Sequence, residues 1–333
     1  MRLCALTATA VAFFAGASVA QATNAGSSLT FIYQNNLNAS DDKNHEGAIL
    51  LDPMTSAAGA KACAALGETL LPQKVIKNHQ SDFLRSLEYL EYSHLEADDQ
   101  RYHVENAVIC AKGKIQFSAK ARGNVKLPVL CSQTSEQNGA ANAVATSSNG
   151  ISIKSNGNTY VGFRNKKSFR FVGIPYTNTP GRFEYSEVYN RTGQTITATK
   201  YGPNCAQAYD ATSAENCLFM NIQTPYIPKA GSKKNLRPVL MSIYGGGFTG
   251  GNSGAGSGLD TGNLASREDI VGVQFNYRLS TLGFLAIPGT DIKGNFGIGD
   301  QVTALRWVRQ NIAQFGGDPD RCVDATQDQD AKS

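Results

Sequence analysis

Between Gly245 and Gly258, eight of the fourteen residues are glycine. Such a run lets the backbone turn freely and brings its N–H groups close to a ligand. Backbone donors held that way suit an oxygen that gains negative charge during a reaction, or a phosphate. The letters from Gly245 to Gly250 fit G-x-G-x-x-G, but glycine and serine follow where a dinucleotide fold needs a helix. No G-x-x-x-x-G-K and no G-x-S-x-G occurs. The nearest approach to the latter, Gly251-Asn252-Ser253-Gly254-Ala255, lacks the last glycine and sits inside the glycine run. The histidines, His45, His79, His94 and His103, all precede the run. The sequence pairs them with no cysteine or acidic cluster, so they are expected to be scattered surface groups.

The cysteines come next. Residues 1–22 combine Arg2, an apolar stretch and Ala20-Gln21-Ala22, the grammar of a signal peptide cleaved before Thr23. Export makes the remaining six cysteines (Cys63, Cys110, Cys131, Cys205, Cys217 and Cys322) disulfide candidates. Six cysteines allow fifteen pairings. There is no C-x-x-C and the histidines lie far from most cysteines, so no metal site and no cofactor is expected. Two N-x-S/T sequons, at Asn38 and Asn190, are candidate glycosylation sites. A net charge of +4, evenly spread, argues against a nucleic-acid partner. No apolar run after residue 22 is long enough to span a membrane.

These groups need elements to hold them. Residues 23–130 read as a small α+β region of unknown role. Ser56–Leu66 is alanine-rich and helical. Phe83, Leu87, Leu90 and Leu95 space as an amphipathic helix, and Ala107–Ala111 and Ile115–Ser118 read as strands. Residues 131–150 read as a Ser/Asn/Gly-rich linker. Beyond it the pattern is α/β, with strand-like runs at 160–172, 218–222, 239–244 and 270–277. Leu305, Val308, Ile312 and Phe315 predict a helix from Val302, capped by Asp300 and stopped at Gly316-Gly317.

Residues 151–321 resemble the opening part of a type-B carboxylesterase, the α/β-hydrolase family of carboxylesterases, fungal lipases and cholinesterases. Five motifs arrive in the family's order. They are Gly173-Ile174-Pro175-Tyr176 with Arg182-Phe183; Glu215-Asn216-Cys217-Leu218-Phe219-Met220-Asn221; Tyr244-Gly245-Gly246-Gly247-Phe248; Asn276-Tyr277-Arg278 with Leu282-Gly283-Phe284; and Gly294-Asn295-Phe296-Gly297 with Asp300-Gln301 and Phe315-Gly316-Gly317-Asp318-Pro319. The main departure is Asn216, where the family has an acid. The expected fold is thus α/β: an incomplete α/β-hydrolase domain, a mixed sheet with flanking helices, preceded by the small α+β region.

The resemblance implies secreted carboxylic ester hydrolysis, with Gly246 and Gly247 as oxyanion-hole donors. It implies a disulfide between Cys205 and Cys217 and buried structural ion pairs Arg182–Glu215 and Arg278–Asp300. The expected partner is a carboxylic ester. A choline ester is disfavoured, because the span between Cys205 and Cys217 contains no tryptophan and Trp307 suits core packing. The family's serine elbow should follow Pro319 within about ten residues. Residues 322–333 instead carry repeated aspartates and no aromatic, and read as a non-family tail rather than a buried strand, with Cys322 unpaired. The chain is therefore expected to lack serine, acid and histidine and to be inactive, a truncated product with unpaired strand edges and exposed apolar faces. The alternatives are a non-catalytic binding or adhesion module and a product without function.

Overall fold

A computed structural model describes residues 26–38, 40–136, 145–254, 257–258 and 260–327. The expected signal peptide, Ala39 and residues 328–333 lie outside that set. The first region contributes β1 (Leu29–Ile32), β2 (Ala48–Met54), α1 (Ser56–Ala65), α2 (Gln73–Asn78), α3 (Gln80–Tyr92), β3 (Arg101–Val104), β4 (Ala107–Ala111), β5 (Ile115–Ala119) and β6 (Leu127–Ser132). Thr55 caps α1, its hydroxyl accepting from the Ala58 N–H at 3.3 Å. Phe83, Leu87 and Leu90 bury one face of α3, as their spacing predicts.

The second region contributes β7 (Gly150–Ser155), β8 (Asn158–Arg164), β9 (Phe169–Pro175), β10 (Thr177–Asn178), β11 (Glu187–Val188), β12 (Thr195–Thr197), β13 (Phe219–Thr224), β14 (Tyr226–Ile227), β15 (Arg237–Tyr244), α4 (Gly262–Glu268), β16 (Val271–Phe275), α5 (Ser280–Phe284), α6 (Phe296–Asn311) and β17 (Gly317–Gln327). Its sheet runs β12-β8-β9-β13-β16-β15-β17, with β7 paired to β8. The pairs β13–β16 and β13–β9 are antiparallel, and β15 is parallel to both β16 and β17. This is a mixed sheet with flanking helices, an incomplete α/β domain. β16 is buried at every residue, which suits its mostly apolar text, and its one polar side chain, Gln274, donates to the Thr261 hydroxyl at 2.7 Å.

The two regions share one core. The first sheet runs β14-β1-β2-β6-β3-β4-β5, so a strand from the second region completes its edge. Phe31, Ile49, Leu51 and Val129 join Phe169, Phe171, Ile222 and Trp307 in a single apolar cluster. The Arg164 guanidinium donates to Glu68 Oε1 at 3.0 Å, both side chains fully buried. It also donates to the Leu66 and Ser148 carbonyls. The segment read as a linker begins inside β6, since Cys131 and Ser132 belong to that strand.

Three expectations need correction. The helix predicted from Val302 starts at Phe296, so Asp300 is not its cap but a fully buried residue within it. The tail is a strand as far as Gln327, though not a buried one where its side chains are described. It forms β17 to Gln327, in register with β15 from Val239↔Cys322 to Tyr244↔Gln327. Main-chain bonds do not depend on side-chain polarity, and an edge strand tolerates aspartate. Cys322, Val323 and Asp324 are accordingly exposed rather than buried. His94 is exposed, as expected, but the other three histidines are not scattered surface groups. His103 is buried, with Nε2 at 3.2 Å from the Val125 carbonyl. His45 lies between Asp82 (Nδ1 to Oδ1, 3.0 Å) and Asp41 (Nε2 to Oδ2, 3.0 Å), and His79 is 3.5 Å from Asp82. The first turn of α3 brings Asp82 against the entry to β2, a juxtaposition no local spacing announces.

A neutral imidazole has one N–H, so only the charged ring satisfies both carboxylates at His45. Burial alone would lower its pKa, but hydrogen bonds to Asp82 and Asp41 outweigh it and hold it above 6.5. Burial, then Asp52 and Glu91, pushes the Glu96 carboxyl up to about 7. Both pKa values are raised in the folded state, so both groups favour folding at lower pH. Unfolding free energy should fall as pH rises from 4.5 to about 7 through Glu96, and again above 6.5 through His45. Urea midpoints across this range should show a shallower slope for Glu96→Gln and for His45→Asn. Slopes equal to wild type in both variants would refute the assignment.

Candidate active site

β15 ends at Tyr244, and the glycine run begins one residue later. Tyr244 is locked against Tyr277, the rings stacked with centroids 4.5 Å apart. Tyr244 Oη donates to the Tyr277 carbonyl at 3.0 Å, and Tyr277 Oη donates to the Tyr244 carbonyl at 3.0 Å. Burial raises the Tyr244 pKa, so the phenol stays a neutral donor. The strand end is therefore fixed before the chain turns.

The turn itself requires glycine. Gly246 has φ +120°, and a Cβ there would meet the Gly250 carbonyl oxygen at 2.3 Å. That carbonyl geometry closes a loop in which Gly246 O accepts from the Thr249 N–H and hydroxyl, each at 3.0 Å. Gly251 has φ +119°, and a Cβ would press on the Tyr244 ring at 2.5 Å. Gln207 clamps Gly251 by both backbone groups: Oε1 accepts its N–H at 2.9 Å, and Nε2 donates to its carbonyl at 3.1 Å. The same Nε2 reaches the Cys205 carbonyl at 3.2 Å. On the other side the Ser280 N–H donates to the Phe248 carbonyl at 2.7 Å, and Phe248 packs on Phe284.

Gly246 and Gly247 are exposed, and neither N–H has an acceptor among the described residues. The loop is pinned at both ends and leaves these two donors at its tip. Donors aimed at a developing oxyanion are worth roughly 3 kcal/mol each in acyl-transfer chemistry. Ser253 is not poised as a nucleophile. It is buried, its hydroxyl donating to Asn276 Oδ1 at 2.9 Å and its carbonyl accepting from Asn221 at 2.8 Å.

The other expected groups divide. Cys205 and Cys217 are joined, with sulfurs 2.00 Å apart, and the short loop they close carries Gln207. Sequence reasoning missed that residue; its signal was only a glutamine two places after a half-cystine. Cys63 and Cys131 are joined as well, while Cys110 and Cys322 are free. Arg278 and Asp300 form a buried bidentate pair at 2.8 and 2.9 Å, and Asp300 Oδ2 also accepts the Arg278 N–H at 3.1 Å. Arg182 and Glu215 pair through two contacts, but at the surface. Their side chains are 66% and 45% exposed, so the expectation of burial is wrong for this pair. It lies on the rim of the disulfide loop, where water reaches both partners. Asn38 and Asn190 are exposed, and Asn190 Oδ1 accepts from Asn178 at 2.9 Å. Trp307 is core, edge-on to Tyr160.

A mixed sheet whose parallel strand runs into a glycine loop is the arrangement of an incomplete α/β-hydrolase-type domain. The chain belongs to the carboxylesterase family, whose sequence pattern matches residues 149–323. It is 37% identical over 162 residues to juvenile hormone esterase of Heliothis virescens, covering 45% of this chain and 28% of that protein. It is 38% identical over 159 residues to bile salt-activated lipase of Bos taurus, covering 45% of this chain and 26% of that protein. The chain thus spans under a third of the length of these relatives. A solved carboxylesterase of Geobacillus stearothermophilus is 34% identical, with a TM-score of 0.47, covering 53% of this chain and 37% of that one.

Proposed function

We infer that residues 149–323 contribute the oxyanion loop and its supports to a carboxylic ester hydrolase. The observation that carries this is the pair of free amides at Gly246 and Gly247 on a loop held by Tyr244 and Gln207. The substrate class is a lipase-like or general carboxylic ester. Among the described residues no serine is hydrogen-bonded to a histidine, and no histidine follows His103 in the sequence, so these 333 residues alone should not turn over ester. Purified chain should hydrolyse p-nitrophenyl butyrate no faster than buffer. Turnover at about 1–10³ s⁻¹ that Gly246→Pro and Gly247→Pro abolish would overturn this reading of the chain. Turnover indifferent to both changes would detach any activity from the loop.

Two disulfides suit an oxidising compartment. The protein is accordingly proposed to be secreted, with residues 1–22 removed and glycans at Asn38 and Asn190. Intact mass of the chain recovered from medium should show a start at Thr23 and added hexose. An unmodified chain starting at Met1 would count against export.

A further inference from the structure

A cleft of about 190 Å³ opens where the first sheet meets the carboxylesterase region. Small-molecule sites favour such junctions. β1 forms the floor, α3 one wall and α4 the other. The floor is apolar, with Phe31 and Leu90 buried at its base. The walls are positive. Arg85 on α3 has no carboxylate within ion-pair distance among the described residues; Gln34 Oε1 accepts from its Nη1 at 3.0 Å. Arg267 on α4 pairs only with its neighbour Glu268, at 2.9 Å and about half exposed. Such a pair holds its guanidinium weakly. The one acid lining the cleft, Asp269, is already held by Arg237 at 2.8 Å. Tyr89 lies one turn from Arg85 and is 47% exposed, a large amphipathic ring left at the lip.

We propose that this cleft binds an amphiphilic monocarboxylate, a medium-chain fatty-acid anion, with its head between Arg85 and Arg267 and its chain along Phe31 and Leu90. Arginine presents paired donors that match a carboxylate. The apolar floor takes the chain, and Tyr89 covers it. An acid of this kind is what ester hydrolysis releases. That origin rests on the proposed function; the binding does not.

Calorimetric titration of the full chain with octanoate, octanamide and octyl phosphate tests the site. Octanoate should saturate at one site per chain, with octanamide weaker by about tenfold or more. Arg85 is exposed on a helix surface, so Arg85→Gln should fold normally. It should weaken octanoate about tenfold while leaving octanamide unchanged. Equal binding of octanoate and octanamide, an Arg85→Gln variant that binds like wild type, or no saturable binding at all would each overturn the proposal. Octyl phosphate binding more tightly than octanoate would overturn the carboxylate assignment. Ester turnover enters none of these measurements, so failure here leaves the esterase reading standing, and the reverse.

Discussion

Replacing Asp300 by asparagine should lower the unfolding free energy by about 3–5 kcal/mol, because it strands the buried Arg278 guanidinium without its counter-charge. The carboxylate accepts three donors from one residue, two from the guanidinium and one from the backbone N–H. An amide of the same shape cannot accept all three. Arg278 adjoins Tyr277, whose phenol holds the end of β15, so the loss should also loosen the glycine loop. Urea unfolding of the variant gives the number. The internal control is Glu215→Gln at the exposed pair, which should change stability by less than about 1 kcal/mol. Similar losses at both sites would mean that burial does not set the difference.

Removing the Cys63–Cys131 bridge should cost about 4 kcal/mol, against about 3 kcal/mol for Cys205–Cys217, because the longer loop gains more freedom in the unfolded chain. The first bridge spans a sequence separation of 68 residues and the second 12. Cys63 lies in α1 and Cys131 in β6, both fully buried, so the bridge also ties that helix to the centre of the first sheet. Paired Cys→Ala variants, compared by urea unfolding under non-reducing conditions, provide the measurement. A smaller loss at Cys63–Cys131 than at Cys205–Cys217 would show that unfolded-chain entropy is not the governing quantity.

The glycine loop, the strand before it and the helix bearing Trp307 were legible because each is local. Tyr244 ends an apolar run broken only by Ser242, and three glycines in succession admit few other readings. What stayed hidden is non-local. Glu68 and Arg164 are ordinary charges in the sequence and become a buried pair only when the two sheets meet. His45 and Asp82 gain their partnership from the packing of α3 against β2. The burial of Arg278–Asp300 and the exposure of Arg182–Glu215 likewise cannot be read from identical charge types. Both depend on what covers each pair: α6 encloses Asp300, whereas Glu215 lies on an exposed loop. β17 was missed because side-chain polarity was weighed where backbone pairing to β15 decides.

The pairing of β14 with β1 has a temporal side. Leu29 faces Ile227 across that junction, so the outer edge of the first sheet has no partner until the ribosome has made the chain beyond residue 227. At about 5–20 residues per second, that edge waits roughly 10–40 s after β1 is synthesised. Folding that begins at the N-terminus therefore cannot finish there, and a nascent chain carries an open strand edge until residues 226–227 have been made.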